Sequence, residues 1–507
     1  MQDIIANLGM GFGAALSPTN LVYCFIGVFL GTFVGVLPGI GSLAAISMLM
    51  PLTFYVPPET ALIMLAGIYY GTQYGGSTAA ILLNLPGTPS SAIACLDGYP
   101  MSQKGRAGVA LAMTTLASFV GATVGILVLT LFAQGLANFG MSFAAADYFS
   151  LMLLGLVASS TLAAGSPIKG IAMVLVGIAL GSVGSDVQTG ELRYTFGILG
   201  LSDGINLVAL SMGLFGVSEV IATIASKEHS KPVQRIGMRS LLPSPDDIRR
   251  SVTPIIRGTA LGSVVGALPG TGTNIASFMS YVVEKRVSKT PERFGTGAIE
   301  GVTAPEAANN AAAQTSFVPT LTLGIPGDAV MALLLGMLII HGIQPGPRLI
   351  ESQPALFWGL IASFWIGNVM LVILNLPLIG IWVRILTIPR RVLMPAILMF
   401  MAIGVYSVNN NAFDVWIMIL FGIIGFFMST FRFEAAPLLL GFILGPLMEQ
   451  YLKRALLISG GDAAVVVQRP ISATLLVITM LVLTATIYSA LRRRRKRDAS
   501  HPRETLE

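Results

Sequence analysis

The side chains that could do chemistry in this chain are few, and they fall into two pairs of short stretches. The first pair is "LPGIGS" from Leu37 and "LPGTGTN" from Leu268, where Ser42, with Ser47 beyond it, is answered by Thr271, Thr273, Asn274 and Ser277. Neither stretch holds a lysine or an arginine. The second pair is denser. Thr72, Gln73, Tyr74, Ser77 and Thr78 crowd "YYGTQYGGSTAAILLNLPGTPSS" from Tyr69, and Asn309, Asn310, Gln314 and Thr315 crowd "EGVTAPEAANNAAAQTSFVPTLTLGIPGD" from Glu300. Hydroxyls and amides of this kind bind rather than make bonds. Free N–H groups and hydroxyls at a helix start hold an anion, and exposed carbonyls hold a hard cation. A lone Ser or Thr can equally bond back to its own helix, whereas an amide such as Asn274 is costly to bury idle. Glu306 and Asp328 are the nearest acids, each able to hold a cation, carry a proton or cap a helix. His229, His341 and His501 are scattered, and Cys24 and Cys95 show no CxxC spacing. With no metal cluster and no Walker loop, neither an intramembrane enzyme nor an ATP-driven pump is indicated.

The elements that position these residues are broken helices. Each stretch carries a Pro-Gly pair: Pro38-Gly39, followed by Gly41; Pro269-Gly270, followed by Gly272; Pro86-Gly87; and Pro326-Gly327. Proline removes a donor and disfavours helix in the residue before it, and glycine tolerates turn dihedrals, so each pair ends a helix. The surroundings are apolar throughout. At 54% hydrophobic and 11% charged residues, with a mean hydropathy of +0.79, the 507-residue chain cannot cover a water-soluble surface. An all-α polytopic membrane protein of about 10 to 13 membrane segments is expected, because a helix closes its own backbone hydrogen bonds in lipid. The N-terminal "MQDIIANLGMGFG" lacks the basic start of a cleavable signal peptide. A helix broken at membrane depth is tolerated only where the freed backbone faces protein or a wet cavity.

The breaks also repeat. "LGTFVGVLPGIGS" from Leu30 returns as "LGSVVGALPGTGT" from Leu261, Gly67 and Gly71 pair with Gly297 and Gly301, and "LNLPGTP" from Leu83 faces "LGIPGDA" from Leu323. Ordered correspondences of this kind mark an internal duplication, a feature of transporters. The expected organisation is a first repeat over 1–225, a cytoplasmic linker over 226–250, a second repeat over 251–470, and a final helix with a basic cytoplasmic tail over 471–507. The linker is basic, and so is the loop after the second tip, with Lys285, Arg286, Lys289 and Arg293, whereas "LTFYVPPE" after the first tip has no basic residue. Basic loops stay inside, so the repeats are expected to be inverted, and the two tips to belong to re-entrant hairpins over 252–281 and 20–51. The run "RRRRKR" from Arg492 extends the same bias.

At these motifs the sequence resembles the large membrane subunit of the tripartite tricarboxylate transporters, the TctA type. The blocks that carry the likeness include "GVLPGIG", "YGGSTAAILLNLPGTPSSA", "LDGYPM", "GSDVQTGELRYTFG", "GLFGVSEV", "GALPGTGTNIASFMSYVVEK" and "APEAANNAAAQTSFVPTLTLGIPG", in family order. The resemblance implies a bacterial inner-membrane importer of carboxylates such as citrate, driven by a cation gradient with Na⁺ as coupling ion and no other cofactor. It also implies two partners, a small membrane subunit of TctB type and a periplasmic solute-binding protein of TctC type. The alternative is a passive anion channel, which would favour a symmetric multi-subunit filter over a pseudo-symmetric pair within one chain. The substrate and coupling residues are expected among Gly39, Gly41, Ser42, Thr72, Tyr74, Ser77, Thr78, Gly270, Thr271, Gly272, Thr273, Asn274, Asn309, Asn310 and Thr315. Pro38, Pro86, Gly87, Pro269, Pro326 and Gly327 are expected to make the breaks.

Overall fold

Apolar runs fold here as helices, and the Pro-Gly pairs end them where expected. The computed structural model describes residues 2–162, 166–186, 189–225, 237–270, 272–386 and 390–500. Helix α1 (Pro18–Val36) stops before Pro38, α2 (Gly41–Leu49) resumes after the break, and α3 (Pro58–Leu83) runs through the dense polar stretch. Helix α4 (Ala107–Gly140) follows. The second half repeats the plan with α5 (Pro245–Gly266), α6 (Gly272–Val287), α7 (Glu300–Thr315), the short α8 (Phe317–Leu323) and α9 (Ala329–Ile340), and α10 (Pro354–Asn375) comes after them. Among the described residues six helices are long and apolar enough to cross a membrane, and shorter apolar helices accompany them. At 19 residues α1 is about 28 Å long, enough by itself for a bilayer core and longer than a half-depth arm.

Two compact units form, one from Met1–Met141 with Asn206–Phe426, the other from Ser142–Ile205 with Phe427–Glu507. Each draws on both halves of the sequence. In the first unit the two halves pack alike. A methyl group on Gly27, Gly31 or Gly35 of α1 would lie 2.4, 2.4 or 2.6 Å from the carbonyl oxygens of Met64, Ile68 and Thr72 of α3. On Gly258, Gly262 or Gly266 of α5 it would meet backbone atoms of Ala304, Ala308 and Ala312 of α7 at 2.2, 2.2 and 2.4 Å. Helices this close need a glycine every fourth residue on one face, because the backbone of one fills the groove of the other.

This packing corrects one correspondence read from the sequence. If Met64, Ile68 and Thr72 answer to Ala304, Ala308 and Ala312, then Gly67 and Gly71 answer to Ala307 and Ala311, and Gly297, at φ +106°, lies in the loop before α7. The second copy carries extra residues between its two helix pairs, and they form that loop. Buried Asp97 holds it, its Oδ1 accepting from the N–H groups of Gly295, Gly297 and Ala298 at 2.9, 2.8 and 2.8 Å and its Oδ2 from Tyr281 Oη at 3.0 Å.

Helix α5 starts at a capping box, Ser244 accepting from Asp247 N–H and Asp247 from Ser244 N–H, and Arg106 Nη2 reaches Asp247 Oδ1 at 2.5 Å. Burial raises the pKa of the Asp247 carboxyl, but hydrogen bonds from Arg106 and Ser244 and the charge of Arg106 outweigh it and leave it below the usual carboxylate range. Helices α5 and α6 are clasped by Arg257, bidentate on Glu284 at 2.9 and 2.6 Å.

The second unit packs Pro167–Gly181 against Ala435–Ile458, where a methyl group on Gly441 would lie 2.3 Å from Val174 O. It contains the only strands among the described residues, Gly184–Ser185 paired antiparallel with Leu192–Arg193. Part of the linker, 226–236, and residues 501–507 lie outside the described residues, His229 and His501 among them, as do the side chains of the basic run from Arg492.

Candidate functional site

Each tip is a turn built on two left-handed glycines. Gly39 and Gly41 adopt φ of +92° and +71°, and Gly270 and Gly272 adopt +82° and +64°. The same short turn closes both preceding helices, Leu37 N–H donating to Val34 O at 3.0 Å and Leu268 N–H to Val265 O at 3.1 Å. Side chains rarely adopt such dihedrals, so glycine at all four positions follows from the geometry. Thr271 lies outside the described residues.

The Pro-Gly breaks of the second pair come to these tips. Helix α3 ends on Asn84 and α8 on Gly324, both left-handed caps at φ +60° and +70°. The chain then passes Pro86-Gly87 and Pro326-Gly327. Gly39 N–H donates to Pro86 O at 3.3 Å, and Gly87 N–H to Gly76 O at 3.2 Å. A methyl group on Gly87 would lie 1.9 Å from Gly35 O, so only glycine lets the break sit against α1. At the other tip, a methyl group on Gly272 would meet Asp328 Cβ at 3.0 Å.

Polar side chains join the two places. Behind the first tip, Thr72 Oγ1 donates to Tyr69 O at 2.6 Å and is hydrogen-bonded to Ser42 Oγ at 2.7 Å, Gln73 Nε2 donates to Ser42 Oγ at 3.1 Å, and Ser90 Oγ donates to Gln73 Oε1 at 2.7 Å. Ser277 Oγ of α6 donates to Ser90 O at 2.9 Å. At the second tip, Asp328 caps α9 through Met331 N–H at 2.8 Å and accepts from Tyr69 Oη at 2.7 Å, with Thr273 and Ser316 beside the phenol. Between them Ser77 Oγ donates to Glu306 Oε1 at 2.5 Å, and Asn310 Nδ2 donates to Ser118 Oγ and Glu306 O at 2.8 and 3.1 Å. Tyr74 Oη donates to Asn368 Oδ1 at 2.6 Å. All of these side chains are buried except Asp328, which is half-buried.

Not every expected residue joins. Asn274 is exposed on α6, and no contact brings it to Asn310, Ser42 or Thr72. Thr315 Oγ1 bonds back to Ala311 O at 3.1 Å, and Thr78 is buried. Ser47 Oγ, both amide atoms of Asn309, Asn310 Oδ1, Gln314 Oε1 and Glu306 Oε2 are buried without a hydrogen-bond partner. His341 bonds Met337 O at 2.9 Å on its own helix. Tyr69, Ser90, Ser118 and Asn368 are members that sequence reasoning did not single out, and so is Glu219, whose Oε1 lies 2.9 Å from where a Gly39 methyl would be. For Asn368 and Glu219 the signal was present: an amide in mid-helix or a lone acid in a long apolar span.

Chemically the belt offers backbone and hydroxyl donors at two helix starts, the buried carboxylate of Glu306 and the half-buried one of Asp328, with Glu219 beside the first tip. Among the described residues no lysine, arginine or histidine forms an ion pair with Glu306 or Asp328. A pocket of about 500 Å³ in the second unit is lined by Arg193, but that guanidinium is already held by Asp186 and Glu449.

The family model of the tripartite tricarboxylate transporter TctA family matches residues 21–440. An uncharacterized 52.8 kDa protein of Agrobacterium vitis, from the TAR-I ttuC' 3' region, is 55% identical over 495 residues, covering 98% of each chain. A second Agrobacterium vitis protein, from the TAR-II ttuC' 3' region, is 59% identical over 234 residues, which is 46% of this chain and 97% of that protein. No solved structure matches.

Proposed function

Since the chain belongs to the tripartite tricarboxylate transporter TctA family, we propose that it is the large translocating subunit of a Na⁺-driven importer of a di- or tricarboxylate in a bacterial inner membrane. The observation that carries this reading is the buried belt. Two helix breaks meet two glycine turns there, with backbone and hydroxyl donors at two helix starts, Asp328 beside the second of them, and Glu306 buried without a basic partner. Burying an unpaired carboxylate is expensive, and a coupled cation removes that cost each time the site loads. The substrate carboxylates take the N–H groups at the starts of α2 and α6 with Ser42 and Thr273, where the positive ends of the helix dipoles favour negative charge. In this reading the two broken elements are inverted with respect to the membrane. A small membrane subunit and a periplasmic binding protein complete the assembly, the latter delivering the carboxylate.

Proteoliposomes holding the chain with its small subunit, supplied with binding protein and radiolabelled citrate or succinate, test the proposal. Uptake should follow an inward Na⁺ gradient, collapse with a Na⁺ ionophore, and show counterflow against unlabelled substrate. A passive pore would equilibrate label without counterflow, and that result would overturn the carrier reading.

A further inference from the structure

Glu306 is buried and Asp328 half-buried, and their carboxylate oxygens are in different states. Both oxygens of Asp328 are occupied, one by Met331 N–H and one by the Tyr69 hydroxyl. In Glu306 only Oε1 is occupied, by Ser77, and Oε2 has no partner. Asn309 and Asn310 stand three and four residues further along α7, so their side chains rise from the same face as Glu306, about 5–6 Å apart at Cβ. Ser118 of α4 comes to the same face, accepting from Asn310 Nδ2 at 2.8 Å.

The orientation of the Asn310 amide is fixed by its partners. Its nitrogen must face Glu306 O, which can only accept, so its unpartnered atom is an oxygen. Glu306 Oε2, Asn310 Oδ1 and the Asn309 amide oxygen are therefore three acceptors without donors on one helix face. Glu306 is 1% exposed, and Asn309 and Asn310 are 0% exposed.

A proton could satisfy one of these oxygens and would leave the others bare. A dehydrated metal cation satisfies all of them together, and oxygen-only ligands suit a hard ion. The charge selects its valence. One carboxylate neutralises a single positive charge, whereas a divalent ion would leave a net charge in a low-dielectric interior.

We infer that Glu306, Asn309 and Asn310, closed over by Ser77 of α3 and Ser118 of α4, form the Na⁺ site of this protein. The inference rests on the Na⁺-driven reading above but is tested without substrate. The measurement is equilibrium binding of radiosodium to the purified protein in lipid nanodiscs, with choline replacing Na⁺ in the buffer.

Saturable binding is expected for the unaltered protein. Asn309→Ala should weaken it on the order of tenfold, about 1.4 kcal/mol. Glu306→Gln should abolish it, and Asn138→Ala, which removes an exposed amide elsewhere on α4, should leave it unchanged. Asn309→Ala removes no hydrogen bond to another helix, so a melting temperature in choline close to the parent's separates a binding defect from misfolding. The inference is overturned if the unaltered protein shows no saturable Na⁺ binding, or if Asn309→Ala and Glu306→Gln bind as the parent does. Normal Na⁺ binding with no Na⁺-driven uptake would instead sink the carrier reading and keep the site.

Discussion

Gly262 of α5 can be tested by adding a single carbon. Its methyl group would stand 2.2 Å from Ala308 O, 2.6 Å from Ala308 Cα and 2.7 Å from Ala308 C, all backbone atoms of α7 that cannot swing away. Ordinary contact with that oxygen needs more than an additional ångström, so α5 and α7 must part along the seam that also holds Gly258 and Gly266. Forced overpacking of this kind costs about 1–3 kcal/mol. Alanine gains up to about 1 kcal/mol of helix propensity over glycine, which offsets only part of it. Gly135 on α4 isolates that gain, because a methyl group there meets nothing within 4 Å. Gly262→Ala should therefore lower the melting temperature of the purified protein by several degrees, and Gly135→Ala should hold or raise it. Uptake by Gly262→Ala should also fall, since the tip at Pro269-Gly270 follows directly on α5. If Gly262→Ala melts as high as Gly135→Ala, the close seam is not what joins these helices and the packing argument fails.

Gly39→Leu and Gly270→Leu should abolish uptake while the protein still reaches the membrane, because each puts a bulky side chain at a left-handed dihedral, for about 1 kcal/mol or more of strain, inside the belt; normal uptake by either variant would place the site elsewhere. Asn310→Ala should weaken Na⁺ dependence roughly 5- to 150-fold, for a loss of about 1–3 kcal/mol. Asn274→Ala, on an exposed position, should change apparent KM only if that amide reaches substrate, so uptake at two Na⁺ concentrations decides its membership. Asp97→Ala leaves three backbone N–H groups and a phenol without their acceptor and should destabilise by several kcal/mol at about 1–3 per buried group, read as a large drop in melting temperature; a small drop would mean that water replaces the carboxylate. Alkaline phosphatase fused after Glu59 should be active and fused at Ser240 inactive, and the reverse pair would refute the inverted topology.

The sequence by itself determined where the helices break and why. Pro38-Gly39 and Pro269-Gly270 could be read as turns, because proline and glycine act through their own backbone and need no neighbour to do so. The apolar composition fixed the solvent, and the LPG blocks return in order along the chain. What the sequence left open was everything that depends on which face of a helix looks inward. Gly67 pairs with Ala307 rather than Gly297 because packing register counts residues along a helix pair, and extra residues in the loop held by Asp97 are silent in a motif comparison. Asn274 and Asn309 are both amides beside a break, yet one is exposed and the other is buried without a partner. Asp328 and Glu306 are both acids in an apolar segment, but Tyr69 and a helix start occupy one, and the other keeps a bare oxygen. Those differences are set by partners distant in sequence, Tyr69 to Asp328 and Ser77 to Glu306, and a hydrogen bond between residues so far apart exists only once the fold has closed.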